Sequence, residues 1–251
     1  MLSIFPVCGI GEVSIDADLA TLIRVALNAA DVSFAAGDVL VVTQKIVSKS
    51  EGRRVALSSL QPSVRAKELA AITSKDERLV ELVLRESTEI LRAVPNVLIA
   101  RHRSGHVMAN AGIDRSNIGS GNDEDVLLLP CDADASAANI AARLKPHWPG
   151  TPAVIVSDSF GRPWREGVVN VALGASGFPA LLDRRGEEDR DGRTLEVTQV
   201  ALADMIASAA GLVMGEGAEA VPAALVRGFR WNAAAVSAQA LVRDWAKDLF
   251  R

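Results

Sequence analysis

The sequence predicts an α+β fold with mixed sheets and packed helices. Segments whose apolar residues recur at helical spacing alternate irregularly with short apolar runs typical of buried strands. Several neighbouring strands have no helix between them, whereas a doubly wound parallel sheet needs a crossover helix after each strand. With 251 residues, the chain has the length of one large domain or of two small ones that share a core.

Elements can be assigned in order along the first half of the chain. Segment 18–30 places its apolar residues on one helical face, with Asp16 or Asp18 as candidate N-cap. This face consists of Leu19, Leu22, Ile23, Ala26 and Leu27. Residues 39–43 form a β-rich run, and residues 62–92 have the pattern of two helices. The second of these begins at Asp76 and carries Leu79, Leu82, Val83, Glu86 and Ile90 at helical spacing.

The second half contains further strands, two helices and two polar loops. The expected strands are 96–100, 106–109, 153–157 with a break at Asp158, 167–176 and 221–227. The expected helices are 135–144, capped by Asp134, and 199–213, with Leu202, Met205, Ile206, Ala209 and Val213 on its apolar side. Residues 110–125 are rich in Gly, Asn and Asp, and residues 183–193 are highly charged, so both segments are expected to be loops.

Composition excludes several classes of protein. The net charge of −4 argues against bulk electrostatic binding of DNA or RNA, so no nucleic-acid partner is expected. No apolar run approaches the ~20 residues that cross a bilayer, and the N-terminus lacks the pattern of a signal peptide. Cys8 and Cys131 are too few for a disulfide framework. We therefore expect no membrane association and a cytoplasmic location.

Common phosphate and zinc motifs are missing. The sequence has no Walker A motif, and the glycines of the turn at Gly9-Ile10-Gly11 do not complete a dinucleotide-binding fingerprint. His102 and His106 have the i, i+4 spacing of some zinc helices, but Gly and Ser lie between them. No third ligand is apparent, so surface or structural histidines are the better interpretation.

Three acidic residues in separate segments could form a metal site. Asp158 follows a buried strand that would deliver it, with the Ser159 hydroxyl, to the end of a sheet. Asp114 lies in a polar loop, and Glu216 follows the late helix between two glycines. Carboxylate and hydroxyl oxygens suit Mg²⁺ or Mn²⁺. Structural roles stay open for each residue, namely an Asx turn for Asp114, a turn cap for Asp158 and a helix end around Glu216.

Five motifs, in this order, closely resemble the coenzyme F420-0:L-glutamate ligase family (the gamma-glutamyl ligases of F420 biosynthesis). They are VTQKIVSKSEGR (42–53), NAGIDRSN (110–117), SDSFGRPWREG (157–167), GRTLEVTQVALAD (192–204) and LVMGEG…VPAALVRG (212–228). The resemblance covers nearly the whole chain and implies that family's fold. Two intertwined subdomains would be compatible with it. The C-terminal ALVRDWAKDLFR is similar to the bacterial form, which is often fused to a nitroreductase-like domain. Here one ligase domain over residues 1–251 is expected.

The resemblance implies a GTP-dependent ligase. Family members join L-glutamate to F420-0 through an acyl phosphate, release GDP and phosphate, and add further glutamates through γ-linkages. They use two divalent cations, Mg²⁺ or Mn²⁺, often with K⁺, and are usually homodimers. Two alternatives stay open, namely a glutamyl ligase for a different carboxylate acceptor and a non-catalytic nucleotide-binding protein.

The resemblance also assigns roles to individual residues. The implied metal ligands are Asp114, Asp158, Ser159 and Glu216, of which Asp114 and Asp158 are also the candidate catalytic residues. The implied nucleotide contacts are Cys8, Gly9, Ile10, Gly11, Gln44, Lys45, Lys49, Asn117, Met214, Gly215, Glu216, Gly217, Ala218, Glu219, Ala220 and Val221. Cys8 and Gly11 replace an acid and a proline that are common in the family. From their chemistry, Arg162 and Arg165 are candidates for gripping the anionic acceptor, with loop-bracing ion pairs as the alternative.

Overall fold

A computed structural model describes residues 1–119 and 124–248 of the chain. The strands are β1 (Ser3–Pro6), β2 (Val39–Thr43), β3 (Arg54–Ala56), β4 (Ser87–Val94), β5 (Val97–His102), β6 (Val107–Ala109), β7 (Asp125–Leu127), β8 (Ala153–Arg162), β9 (Arg165–Ser176), β10 (Leu181–Asp183), β11 (Gln199–Ala201) and β12 (Ala223–Arg227). The α-helices are α1 (Leu19–Ala29), α2 (Gln44–Ser50), α3 (Val64–Thr73), α4 (Glu77–Glu86), α5 (Ala133–Leu144) and α6 (Leu202–Met214). The predicted α+β class is confirmed.

A mixed five-stranded sheet forms the centre of the fold, in the order β1-β12-β2-β8-β9. Strand β12 runs antiparallel to both of its neighbours, β1 and β2, whereas β2 and β8 are parallel. Strands β1, β2 and β8 therefore share one direction. Their carboxyl ends, together with the start of β12, all lie at the same end of the sheet.

Both faces of this sheet are buried, which explains why β2 is a continuous apolar run. Leu40 and Val42 pack in one core with α1 and α5, and Val39 and Val41 pack in a second core with α6. Successive strand residues point to opposite faces, so a single strand supplies both cores. The sheet is thereby held between two helical layers.

A further core lies in the segment between α2 and α5. Helices α3 and α4 pack there against the three-stranded sheet β4-β5-β6, and the cluster draws its buried residues from 57–128. Strands β3 and β7 form a separate two-stranded ribbon in the same segment. Residues 120–123 of the predicted polar loop lie outside the described residues. Within the described part of the chain, no helix is long and apolar enough to cross a membrane.

Two predictions for the first half need correction. The predicted first helix is confirmed and Asp18 is its N-cap, accepting from the Thr21 backbone at 3.3 Å, but Leu22 is exposed. The helix predicted from Asp76 stops at Glu86, and Ile90 lies in β4. Pairing with β5 stabilises the extended chain there and outweighs the local helical spacing.

Three predictions for the second half were also wrong in part. Asp132, not Asp134, caps α5, because the Asp134 carboxylate accepts backbone N–H groups from elsewhere in the fold, Ala175 at 2.7 Å and Ala238 at 2.8 Å. Strand β8 does not break at Asp158 but continues into a hairpin with β9, with a register irregularity between Val156 and Ser157. Helix α6 begins only at Leu202, and Met205, placed on its apolar side, is 60% exposed.

Candidate functional site

The topology of the sheet brings the predicted site residues to one end of it. Strands β2 and β8 are parallel, with Thr43 opposite Ser157. The residues that follow these positions, Lys45 at the start of α2 and Asp158 in β8, therefore lie at neighbouring points. Crevices at the carboxyl ends of neighbouring parallel strands are common ligand sites in α/β sheets.

Asp114 reaches this end of the sheet from the polar loop. Its backbone N–H and C=O each exchange a 2.9 Å hydrogen bond with Leu127, which anchors the loop beside β7. Its Oδ2 accepts a hydrogen bond of 2.7 Å from Gln44 Nε2 and lies 3.6 Å from Lys45 Nζ. Burial raises the pKa of Asp114, although the Lys45 ammonium partly opposes this effect.

Gln44 is the most enclosed of the predicted nucleotide contacts. Its side chain is fully buried, its Nε2 donates to Asp114, and its Oε1 accepts from Ser48 Oγ at 2.9 Å. The Ser48 hydroxyl thus fixes which end of the amide faces the carboxylate. The structure gives Gln44 the role of orienting Asp114, while its contact with a nucleotide stays a prediction.

Asp158 is the most strongly perturbed acid of the site. Burial raises its pKa to about 7, and the nearby Asp114 and Glu216 carboxylates add to this effect. Like-charged carboxylates that influence one another in this way favour proton sharing or a bound cation.

Glu216 completes the acidic cluster from the other side of β8. Gly215 ends α6 with a φ of +72°, so the chain turns directly into Glu216. Ser159 Oγ donates to Glu216 Oε2 at 2.7 Å, and Asn170 Nδ2 donates to Glu216 Oε1 at 3.1 Å. Asn170 is not among the residues predicted from the sequence, although a polar residue inside the apolar run of β9 is a signal for it.

The acids of the described residues do not form one tight triad. Among residues 1–119 and 124–248, no three His, Cys, Asp or Glu side chains are close enough to hold a single metal ion. Ser159 and Glu216 are joined by the 2.7 Å hydrogen bond, whereas Asp114 acts on Asp158 through its charge. Apart from this cluster, His102 is buried and its Nδ1 lies 2.7 Å from Ser104 Oγ.

The predicted nucleotide-contacting loops also meet at this end of the sheet. Asn117 Nδ2 donates to the carbonyl oxygen of Gly217 at 3.0 Å, which joins the 110–117 motif to the 214–221 loop. The Val7 N–H donates to the Ala223 carbonyl at 2.9 Å, so the turn at residues 8–11 lies beside the start of β12. Within the second loop, Glu219 accepts the N–H of Gly217 at 2.7 Å.

Lysine and arginine candidates are placed differently. Lys49 is only 8% exposed and its Nζ contacts Glu12 Oε1 at 2.7 Å, beside the N-terminal turn. Arg162 and Arg165 face each other at the tip of the β8–β9 hairpin, and Arg162 donates to the Glu166 carbonyl at 3.4 Å. Lys45 thus lies beside Asp114 and Lys49 is paired with Glu12, whereas the two arginines belong to the β8–β9 hairpin.

Comparisons with known proteins agree on one family. A family profile described as F420-0:Gamma-glutamyl ligase matches residues 9–228. A coenzyme F420:L-glutamate ligase of Methanopyrus kandleri is 46% identical over 219 residues, 86% of each chain. That of Methanothermobacter thermautotrophicus is 44% identical over 227 residues, 90% of this chain and 87% of the relative. That of Haloarcula marismortui is 43% identical over 256 residues, all of this chain and 96% of the relative. The chain therefore belongs to the F420-0:gamma-glutamyl ligase family and is a ligase that forms an amide bond.

Proposed function

We propose that this protein joins L-glutamate to coenzyme F420-0 at the expense of GTP and adds further glutamates through γ-linkages. The observation that carries the proposal is the meeting of Asp114, Asp158 and Glu216, from three separate segments, at one end of the sheet. The printed names of the curated relatives support glutamate ligation to F420.

The donor set fits two divalent cations, Mg²⁺ or Mn²⁺. Every candidate ligand is a carboxylate or hydroxyl oxygen, and carboxylates that repel one another favour a cation nearby. Asp114 with Asp158 would hold one ion, and Ser159 with Glu216 the other, with K⁺ as an additional activator. When bound, the cations supply positive charge that offsets repulsion between the triphosphate and the anionic acceptor.

The chemistry follows from the weak electrophilicity of a carboxylate. A carboxylate oxygen of the acceptor attacks the γ-phosphorus of GTP, and the bond to GDP breaks. The glutamate amine then attacks the acyl carbon, an amide bond forms, and inorganic phosphate leaves as the amine loses its proton. Lys45 and Lys49 would position the phosphates, while the 8–11 turn and the 214–221 loop would hold the rest of the nucleotide. Arg162 and Arg165 would grip the acceptor.

Mass spectrometry tests the proposal directly. Purified protein incubated with F420-0, GTP, Mn²⁺ and L-glutamate is expected to yield species heavier by one or more glutamyl units, with GDP formed in step. A known ligase under the same conditions is the positive control, and omission of glutamate is the negative one. Unmodified F420-0 across several metals and pH values, with the control active, would refute the proposal. Sedimentation tests the homodimer that the family resemblance implies.

A further inference from the structure

Asn170 lies where three elements of the fold meet. It belongs to β9, stands opposite Ser159 of β8 in the strand register, and is 9% exposed. Its Nδ2 donates to one oxygen of Glu216 at 3.1 Å, and Ser159 Oγ donates to the other at 2.7 Å. Two side chains of one strand pair thus hold both oxygens of a single carboxylate.

Helix α6 fixes Asn170 from the other side. The Ser208 hydroxyl donates to the backbone carbonyl of Asn170 at 2.7 Å, which ties the helix to β9. One turn later, a Cβ on Gly211 would lie 2.3 Å from Asn170 Nδ2 and 3.1 Å from its Cγ. Only glycine therefore lets the helix approach the amide so closely. The same helix ends at Met214, two residues before Glu216.

We infer that Asn170 is a positioning residue that holds the Glu216 carboxylate ready for a cation, and that Gly211 is the residue that makes room for it. This inference rests on the proposed function, in which Glu216 is a cation ligand. An amide suits the task because its N–H donates to a carboxylate without adding charge, whereas an apolar side chain could not orient it. Mutation of a residue that orients a metal ligand typically lowers metal affinity by about 10- to 100-fold.

The competing explanation is packing alone. If Asn170 only fills space between β9 and α6, its truncation destabilises the fold and leaves cation binding per folded molecule unchanged. The two explanations therefore differ in Mn²⁺ affinity and not in thermal stability.

The experiment titrates Mn²⁺ into the full chain in the presence of GDP and follows the free ion by electron paramagnetic resonance. Asn170→Ala and Gly211→Ala are each expected to weaken Mn²⁺ binding by about 10-fold or more. The double variant is expected to bind Mn²⁺ no more weakly than Asn170→Ala does. Once the amide is gone, the atom nearest the new methyl group is the Cβ of residue 170, at an ordinary contact distance of 3.5 Å. Gly161→Ala is the matched control, since a Cβ there meets nothing within 4 Å.

The melting temperature of each variant shows whether it is folded under the conditions of the titration. If Asn170→Ala does not fold, Asn170→Ser replaces it in the experiment. Wild-type Mn²⁺ affinity in Asn170→Ala and Gly211→Ala, with binding lost in Asp158→Asn, would overturn the inference and leave the proposed function standing. Additive losses in the double variant would also overturn it. If the wild-type protein bound no Mn²⁺ with GDP, the proposed use of metal would fail and the inference with it.

Discussion

The ion pair between Arg227 and Asp38 should contribute strongly to the free energy of unfolding, because it neutralises a fully buried charge beside the central sheet. Asp38 precedes β2 and is 0% exposed. Its two oxygens accept from Arg227 Nε and Nη2, each at 2.8 Å, and Oδ2 also accepts the Ala35 N–H at 2.8 Å. Arg227→Met removes the charge and two donors but retains most of the apolar stem.

The expected loss follows from the burial of the partner. A buried charge left without its counterion costs about 3–5 kcal/mol. For a chain of this size, each kcal/mol lowers the melting temperature by about 2–4 °C, so a drop of about 6–20 °C is expected. The matched control is Arg65→Met, because the Arg65–Glu68 pair is 63% and 56% exposed and is worth at most about 1 kcal/mol.

Urea unfolding and calorimetry measure both variants at pH 7. The double variant Asp38→Asn/Arg227→Met should recover much of the loss, since neither charge remains buried. Ligase turnover per folded molecule should stay unchanged, because Asp38 lies at the end of β2 opposite to Gln44. Equal losses of stability in Arg227→Met and Arg65→Met would contradict this prediction, because burial of Asp38 would then not determine how much the ion pair contributes.

Three further predictions concern single side chains. Asp158→Asn should abolish glutamyl transfer, and a rate near that of the wild type in the mass assay would remove Asp158 from the metal site. Hydrogen bonds from the Ser63 side chain and backbone lower the pKa of Glu81 from 4.5 to about 2, so this stabilisation is complete above pH 4.5 and is lost as the pH falls towards 2. The difference in free energy of unfolding between the wild type and Glu81→Gln, measured in urea, should therefore become smaller from pH 6 to pH 3. A constant difference would contradict the lowered pKa of Glu81. Ser48→Ala leaves the Oε1 of buried Gln44 unpaired, so it should lower the free energy of unfolding by about 1–3 kcal/mol and reduce turnover. An unchanged midpoint of unfolding in urea would argue against the hydrogen bond.

Local patterns were sufficient for elements whose environment is uniform. The apolar run of β2 is confirmed, and so is the face of α1 apart from the exposed Leu22, because burial on two faces or on one leaves a direct trace in the sequence. Patterns failed where distant pairing decides the outcome. Ile90 keeps helical spacing with Glu86, yet its segment pairs with β5. Asp132 and Asp134 are both good caps, and the fold uses the second to hold Ala175 and Ala238.

The site was predictable as a set of residue types and not as a set of contacts. The motifs identified Asp114, Asp158 and Glu216, which the fold brings to one end of the sheet. The hydrogen bond between Gln44 and Asp114 joins residues 70 positions apart, and that between Asn170 and Glu216 spans 46 positions. No local periodicity reports such distances, so the orienting roles of Gln44 and Asn170 emerged only from the structure.

Because of the position of the polar loop, the residues of the site are attached to two different hydrophobic cores. Ile113, next to Asp114, belongs to the core between α2 and α5, whereas Val156, two residues before Asp158, belongs to the core of the central sheet. A ligand held by both acids would tie the two cores together as a removable crosslink. Its binding energy would then stabilise both at once, and amide hydrogen exchange in each core would slow together as the site fills.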